Sequence, residues 1–105
     1  MEIKFDKEYL RELYEVGKTM DKKHRFQPDI VTRYQARIRT LERASKAEDL
    51  YTLRSLRYEK LKGDKEGLES IRVNDQYRIE FKTTQVVSET EVTICNIIEL
   101  SNHYK

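Results

Sequence analysis

The stretch from Leu56 to Lys82 constrains the fold most, because two turn signals divide it into segments that suit β-strands. The turn signals are Lys62-Gly63-Asp64 and Asn74-Asp75. Around the second turn, apolar positions face one another only if the loop has an odd number of residues or a bulge. The resulting register pairs Val73 with Tyr77, Ile71 with Ile79, and Glu69 with Phe81. The segment is therefore predicted to form an antiparallel hairpin with one apolar face.

The opposite face of this hairpin carries polar residues in the same register. Arg72 is predicted to lie beside Arg78, and Ser70 beside Glu80. Two neighbouring guanidinium groups repel each other unless an anion lies between them. We therefore expect both arginines on a solvent-facing, concave sheet surface that binds an anion.

The N-terminal part of the chain predicts a short strand followed by two helices. Glu2 to Phe5 suits a strand, and Asp6 is a good N-cap for the first helix. Apolar residues at helical spacing extend this helix until it fades over the charged stretch from Asp21 to Arg25. Its apolar stripe and glycine are Leu10, Leu13, Tyr14, Gly17 and Met20.

Pro28 is predicted to open the second helix, since a missing N–H is harmless in the first turn. Its apolar stripe is Val31, Tyr34, Ile38 and Leu41, and its arginines are interpreted as a solvated face: Arg33, Arg37, Arg39 and Arg43. The spacing from Ser45 to Glu48 is that of a capping box, which predicts a further short helical turn from Leu50 to Leu53.

The C-terminal part predicts a polar hinge and then a central strand. The hinge is Thr83 to Thr90, and the run from Val92 to Ile98 is apolar on both faces. Because no helical crossover separates the later strands, we expect an α+β fold with two N-terminal helices packed on a small antiparallel sheet. A length of 105 residues predicts a single domain, 1–105.

Composition restricts the classes of function. Charged residues make up 38% of the chain, and the net charge of +2 permits a nucleic-acid partner without requiring one. The single cysteine, Cys95, lies in an apolar run, which predicts a buried thiol and a reducing, cytoplasmic location. One cysteine and two separated histidines give no metal-ligand spacing, so neither a metal nor a small-molecule cofactor is expected. No apolar stretch suits a membrane span, and no membrane partner is expected.

The remaining polar groups suit chemistry on a phosphodiester. Arg72, Arg78 and Lys62 are cations, His103 and Tyr104 are proton carriers, and Glu59 is a carboxylate. Cleavage of RNA by its own 2′-hydroxyl needs a base, an acid and cations that stabilise charge on the phosphorus oxygens. Almost any basic domain offers these residue types, so composition alone predicts this activity weakly.

The order and spacing of one string of residues are more specific. The string consists of four short segments in this order: Leu61-Lys62-Gly63-Asp64, Glu66-Gly67-Leu68, Ile71-Arg72-Val73-Asn74 and Tyr77-Arg78-Ile79-Glu80-Phe81. This string resembles the signature of the HigB branch of the RelE/ParE toxins, over the C-terminal half of the chain. The resemblance implies an antiparallel sheet backed by two helices. It also implies a toxin of a type II toxin–antitoxin pair that cuts mRNA in the ribosomal A site, with the ribosome and mRNA as partners. A HigA-like antitoxin with a helix-turn-helix would hold it inactive.

The resemblance also implies roles for individual residues. Arg78 matches the central catalytic arginine of the family, and Lys62 the lysine of its turn. Members often carry a histidine where Glu59 stands and end in Asp-Tyr-His, whereas this chain ends Asn102-His103-Tyr104 before Lys105. The predicted catalytic set is thus Arg78, His103, Tyr104 and Glu59, and the predicted RNA-binding set is Lys62, Arg72, Arg57 and Lys60.

The assignment of base and acid stays open at the level of sequence. His103 has the ordinary pKa nearest neutrality and suits either role, Tyr104 suits base stacking or shared proton transfer, and Glu59 suits proton acceptance or an ion pair with a neighbouring arginine. Two other functions compete with the nuclease. One is inhibition of DNA gyrase, as in the ParE branch, and the other is a non-catalytic, degenerate toxin module.

Overall fold

The computed structural model describes residues 1–102 and contains two α-helices and one five-stranded sheet. The strands are β1 (Glu2–Phe5), β2 (Glu59–Lys60), β3 (Glu69–Arg72), β4 (Arg78–Val87) and β5 (Glu91–Ser101), and the helices are α1 (Glu8–Glu15) and α2 (Pro28–Arg43). The order of strands in the sheet is β1-β5-β4-β3-β2. The predicted α+β class, with two helices packed on a small sheet, is confirmed.

The β3–β4 hairpin has the predicted register. Ile71 lies opposite Ile79, Glu69 opposite Phe81, and Arg72 opposite Arg78. The Asn74 side-chain oxygen accepts hydrogen bonds from the backbone N–H groups of Gln76 (2.9 Å) and Tyr77 (2.7 Å), which closes the three-residue loop. The apolar face of the hairpin is buried under the helices, and its members are Ile71, Val73, Ile79 and Phe81.

The strand β5 lies inside the sheet between β1 and β4, as its apolar run predicted. It pairs with β4 in an antiparallel ladder and with β1 in a parallel one, in which Ile3 lies opposite Cys95. The predicted hinge from Thr83 to Thr90 is wrong, since β4 continues through this segment to Val87. The ladder pairs Val86 with Val92, and these backbone hydrogen bonds keep the polar segment extended.

The end of α1 and the start of α2 each coincide with a residue of special backbone geometry, Gly17 and Pro28. The first helix ends at Glu15 and not near Met20, because Gly17 adopts a φ of +87°, which reverses the chain. The predicted cap Asp6 is also wrong. Its N–H instead donates to the Ile97 carbonyl at 2.8 Å, which extends the ladder of β1 and β5. The second helix begins at Pro28, as predicted.

The two helices pack through the predicted stripe of α2. Tyr34 is fully buried, and its hydroxyl donates a 2.7 Å hydrogen bond to the Leu10 carbonyl of α1. Burial raises the pKa of this phenol far above its usual range. The arginine face of α2 is not wholly solvated, because Arg37 is part-buried and its Nε–H donates to the Arg72 carbonyl at 3.0 Å. This bond joins α2 to the end of β3.

A segment with 3₁₀ turns connects α2 to β2 and lies beside the sheet. The turns are Ala47–Leu50 and Arg54–Leu56, and Leu50 and Leu56 are buried in the core. The predicted capping box of Ser45 and Glu48 lies one residue later in the structure, at Lys46 and Asp49. The Asp49 carboxylate accepts hydrogen bonds from the N–H groups of Ser45 (2.9 Å) and Lys46 (3.3 Å). The buried side chains of Leu50 and Leu56 thus anchor the two ends of the stretch between them to the core.

Candidate active site

Arg78 is the central residue of the polar sheet face, but it is buried and only 7% exposed. It lies at the first position of β4, and its Nε–H donates a 3.0 Å hydrogen bond to the Ser70 hydroxyl on β3. Its Nη2 donates to the Arg57 carbonyl. The prediction that Arg78 faces solvent is therefore wrong, because the segment before β2 covers the sheet at this point.

The carbonyl that holds Arg78 belongs to a residue with unusual backbone geometry. Arg57 follows the 3₁₀ turn Arg54–Leu56 and has a φ of 45° and a ψ of 54°, the left-handed conformation. A residue with a Cβ pays about 1–2 kcal/mol for this conformation. The Arg57 side chain itself is exposed. The left-handed backbone thus directs the Arg57 carbonyl inward to Arg78 and the Arg57 side chain outward to solvent.

Glu59 lies next to Arg78. It is on β2 opposite Ser70, and its Oε1 is 3.4 Å from Arg78 Nη2. The Glu59 side chain is 53% exposed, so it forms the boundary between the buried guanidinium and solvent. The pairing of this carboxylate with an arginine, one of the two readings of Glu59, is present in the structure.

Arg72 and Arg78 are neighbours across the hairpin, as predicted, and each has a carboxylate partner. Arg72 forms an ion pair with the exposed Asp75 in the turn. Nearby, burial and then the charges of Arg72 and Arg33 lower the pKa of the Arg37 guanidinium from its ordinary value. The repulsion inferred from the sequence is thus offset by acids of the protein.

Glu80 lies on this face opposite Ser70, as predicted, but its burial and its ion pair with Lys65 were not predicted. Glu80 is 1% exposed, and its Oε2 is 2.6 Å from Lys65 Nζ, which the 3₁₀ turn Gly63–Lys65 positions above the sheet. The predicted register placed Glu80 on the same face as Arg78 but gave no partner for its carboxylate. Lys65 could not be placed, since a turn residue has no strand periodicity.

The remaining predicted RNA-binding cations lie beside the covered site. Arg57, Glu59 and Lys60 line a groove of about 470 Å³. Lys60 and the exposed Lys62 line a second groove, of about 700 Å³. The two grooves share Lys60 and the aromatic residues Tyr51 and Tyr58.

The predicted residues His103 and Tyr104 lie outside the described residues. Within residues 1–102, no cluster of three or more His, Cys, Asp or Glu side chains has a geometry that could hold a metal ion. Over the same range, no helix has the length and apolar character needed to cross a membrane. Cys95 is buried, as expected, and burial raises the pKa of its thiol to about 12.

The sequence model of one family, the RelE-like toxin of type II toxin-antitoxin system HigB, matches residues 3–94. The chain belongs to this family. No curated protein sequence matches it. The resemblance found in the hairpin motif is thereby confirmed, and it extends over most of the chain.

A solved structure supports the same assignment at the level of fold. The chain is similar to a YoeB/ParE toxin from Agrobacterium tumefaciens, with 20% identity and a TM-score of 0.59. The similarity covers 99% of this chain and 100% of the other. As a RelE-like toxin of a type II system, the HigB-like chain has a cognate antitoxin as its implied partner.

Proposed function

We propose that this HigB-like toxin is an endoribonuclease that cuts mRNA in the ribosomal A site. The observation that carries the proposal is the position of Arg78, which hydrogen bonds and an ion pair hold beside the half-exposed carboxylate of Glu59. An arginine fixed in this way is preorganised, and its charge can stabilise an anion that develops beside Glu59.

The proposed reaction is attack by the 2′-hydroxyl on the adjacent phosphorus. A base removes the 2′ proton, the 2′ oxygen bonds to phosphorus, and the bond from phosphorus to the 5′ oxygen breaks. An acid protonates the departing oxygen, which leaves a 2′,3′-cyclic phosphate and a 5′-hydroxyl. Arg78 stabilises the charge that develops on the phosphorus oxygens.

Proton transfer is assigned in this proposal to Glu59 and His103. Glu59 is exposed to solvent on one side and lies 3.4 Å from Arg78 on the other, so a ribose bound beside Arg78 can reach its carboxylate. His103, whose ordinary pKa is near neutrality, would protonate the 5′ oxygen, and Tyr104 would stack on a base. The phosphates of the message would be held by the predicted RNA-binding cations, Lys62, Arg72, Arg57 and Lys60.

The ribosome is part of the proposal because few groups are available to align the reacting atoms. In-line attack requires the 2′ oxygen, phosphorus and 5′ oxygen to lie on one axis, and alignment supplies a large share of rate enhancement. A ribosome that kinks the A-site codon would provide it. Purified toxin should therefore cut translated mRNA well and the same naked mRNA poorly, and equal rates would refute ribosome dependence.

Induction of the toxin in bacteria, followed by mapping of transcript ends, tests the function as a whole. Cuts in phase with codons support the proposal. Induction of the DNA-damage response with intact transcripts would indicate a gyrase inhibitor instead. Growth without arrest would indicate a degenerate, non-catalytic module.

A further inference from the structure

The segment between the two buried leucines of the α2–β2 connection exposes apolar side chains beside the candidate active site. All five residues from 51 to 55 are exposed, and among them Tyr51 is 50% exposed and Leu53 43% exposed. Single exposed apolar residues are common on protein surfaces. These two differ because they lie in one groove, together with cations.

This groove, which we term the Tyr51 groove, has a volume of about 470 Å³. Two tyrosines, Tyr51 and Tyr58, and three cations, Arg54, Arg57 and Lys60, line it. Of the described residues in its wall, Glu59 is the only acid. A positively charged groove with aromatic side chains is the arrangement that binds single-stranded nucleic acid, because bases stack on the rings and phosphates contact the cations.

The aromatic floor of the groove is fixed by its contacts. The ring centroids of Tyr51 and Tyr58 are 4.9 Å apart, at an angle of 46°. The Tyr58 hydroxyl donates a hydrogen bond to the buried Glu69. Tyr58 is thus anchored, and it supports Tyr51, one side of which remains open to solvent. An immobilised ring loses less conformational entropy when a base stacks on it.

The Tyr51 groove lies beside Arg78, which does not itself line it. Two of its lining residues contact that guanidinium, Arg57 through its carbonyl and Glu59 through its carboxylate. A message whose cleaved phosphate lies at the exposed Glu59 carboxylate, beside Arg78, would therefore have its neighbouring nucleotide within reach of the groove. A volume of several hundred Å³ is in the range of small-ligand sites and accommodates a nucleobase.

We propose that the Tyr51 groove binds one base of single-stranded RNA, next to the cleaved phosphate and stacked on Tyr51. The inference rests on the proposed nuclease function and adds a base-binding site to it. The three cations of the groove favour a polyanion over an apolar protein segment as the occupant.

The test measures binding without cleavage. Ribosomes are programmed with a message in which 2′-O-methyl groups block the attacking hydroxyls, and toxin affinity is measured for the parent, Tyr51→Ala and Tyr51→Phe. Tyr51→Ala should weaken binding by about 5- to 150-fold, the range for loss of one base–aromatic stack. Tyr51→Phe keeps the ring and should bind like the parent.

Messages that each lack one base, in and around the A-site codon, locate the stacked nucleotide. One abasic position should weaken binding of the parent, and the same position should weaken binding of Tyr51→Ala no further. Such non-additivity identifies a direct partner. Equal affinities of the parent and Tyr51→Ala, or equal losses at every abasic position, would overturn the inference.

Two variants control for folding. Val87→Ala removes an apolar side chain that is 76% exposed at the far end of the β4–β5 hairpin, and it should bind RNA like the parent. Tyr51→Leu keeps apolar area over Tyr58 but has no aromatic face, so it should bind as weakly as Tyr51→Ala. Parent-like binding by Tyr51→Leu would refute stacking, even if Tyr51→Ala were poorly folded.

The remaining outcomes separate this inference from the proposed function. Weaker antitoxin binding by Tyr51→Ala, with RNA binding unchanged, would make the groove a protein-docking site and would overturn the inference alone. Failure of the parent to bind programmed ribosomes would refute the proposed nuclease function, and the inference with it.

Discussion

Replacement of Arg78 by alanine separates the structural role of this residue from its proposed catalytic role. The guanidinium donates hydrogen bonds to the Ser70 hydroxyl and the Arg57 carbonyl, and hydrogen bonds from a charged group contribute about 1.5–3 kcal/mol each. Its removal also relieves the cost of burying a charge, which offsets part of that loss. We expect a net destabilisation of about 2 kcal/mol, which lowers Tm by about 8–16 °C in a domain of this size.

The expected effect on activity is much larger. Loss of one donor to a developing oxyanion reduces the rate by about 100- to 1,000-fold. Arg78→Lys keeps the charge but cannot donate in the planar fork of a guanidinium, so it should be nearly as inactive as Arg78→Ala. Ser70→Ala removes the acceptor of the Arg78 Nε–H and should lose stability with a smaller loss of rate.

The assay compares thermal unfolding, antitoxin binding and cleavage of a translated message for all three variants. Cleavage is measured well below the lowest Tm, so that every variant is folded. Arg43→Ala, on the exposed face of α2, is the matched control and should behave like the parent in all three measurements. If folded Arg78→Ala cut the message at the parental rate, the catalytic role of Arg78 would be refuted.

Three further predictions concern the fold. Burial raises the pKa of the Cys95 thiol from 9.0 to about 12 in the folded chain. The stability that this thiol contributes is therefore complete below about pH 9 and is lost as the pH rises toward 12. Between about pH 8 and about pH 11, the free energy of urea unfolding should fall less for Cys95→Ala than for the parent. Gly17→Ala places a Cβ at a φ of +87°, 3.4 Å from Gln35 Nε2, and should cost about 1–2 kcal/mol in thermal unfolding. Asn74→Ala removes an acceptor for two backbone N–H groups and should lower Tm by several degrees, as a loss of about 1 kcal/mol predicts, whereas Asn74→Asp keeps the acceptor and should melt like the parent.

The parts of the fold that the sequence predicts best are those with a strict period. Ile71 and Ile79 could be paired because apolar alternation and a short loop permit one register. The stripe of α2 was equally clear, since Pro28 marks its first turn. The end of α1 was predicted too late because Gly17 continues the helical spacing of the apolar stripe, although its backbone conformation ends the helix.

The burial of Arg78 could not be predicted in the same way. The segment that covers it has 3₁₀ turns and exposed residues, and neither gives a period that predicts a position over the sheet. The left-handed conformation of Arg57 is likewise a result of tertiary packing, since a residue other than glycine, asparagine or aspartate rarely adopts it. The sequence therefore predicted that Arg72 and Arg78 are neighbours in the sheet, but not that Arg78 is buried.

The parallel pairing of β1 with β5 affects how the toxin folds during its synthesis. The first strand of the chain finds its place in the sheet only when the last one is available, because Glu2 lies opposite Ile94. Contacts of such large sequence separation form late and slow folding. A nascent chain that has not yet released β5 from the ribosome has no neighbour for β1, and β4 lacks its longest partner. The sheet that carries Arg78 thus cannot be completed until β5 has been synthesised and has left the ribosome.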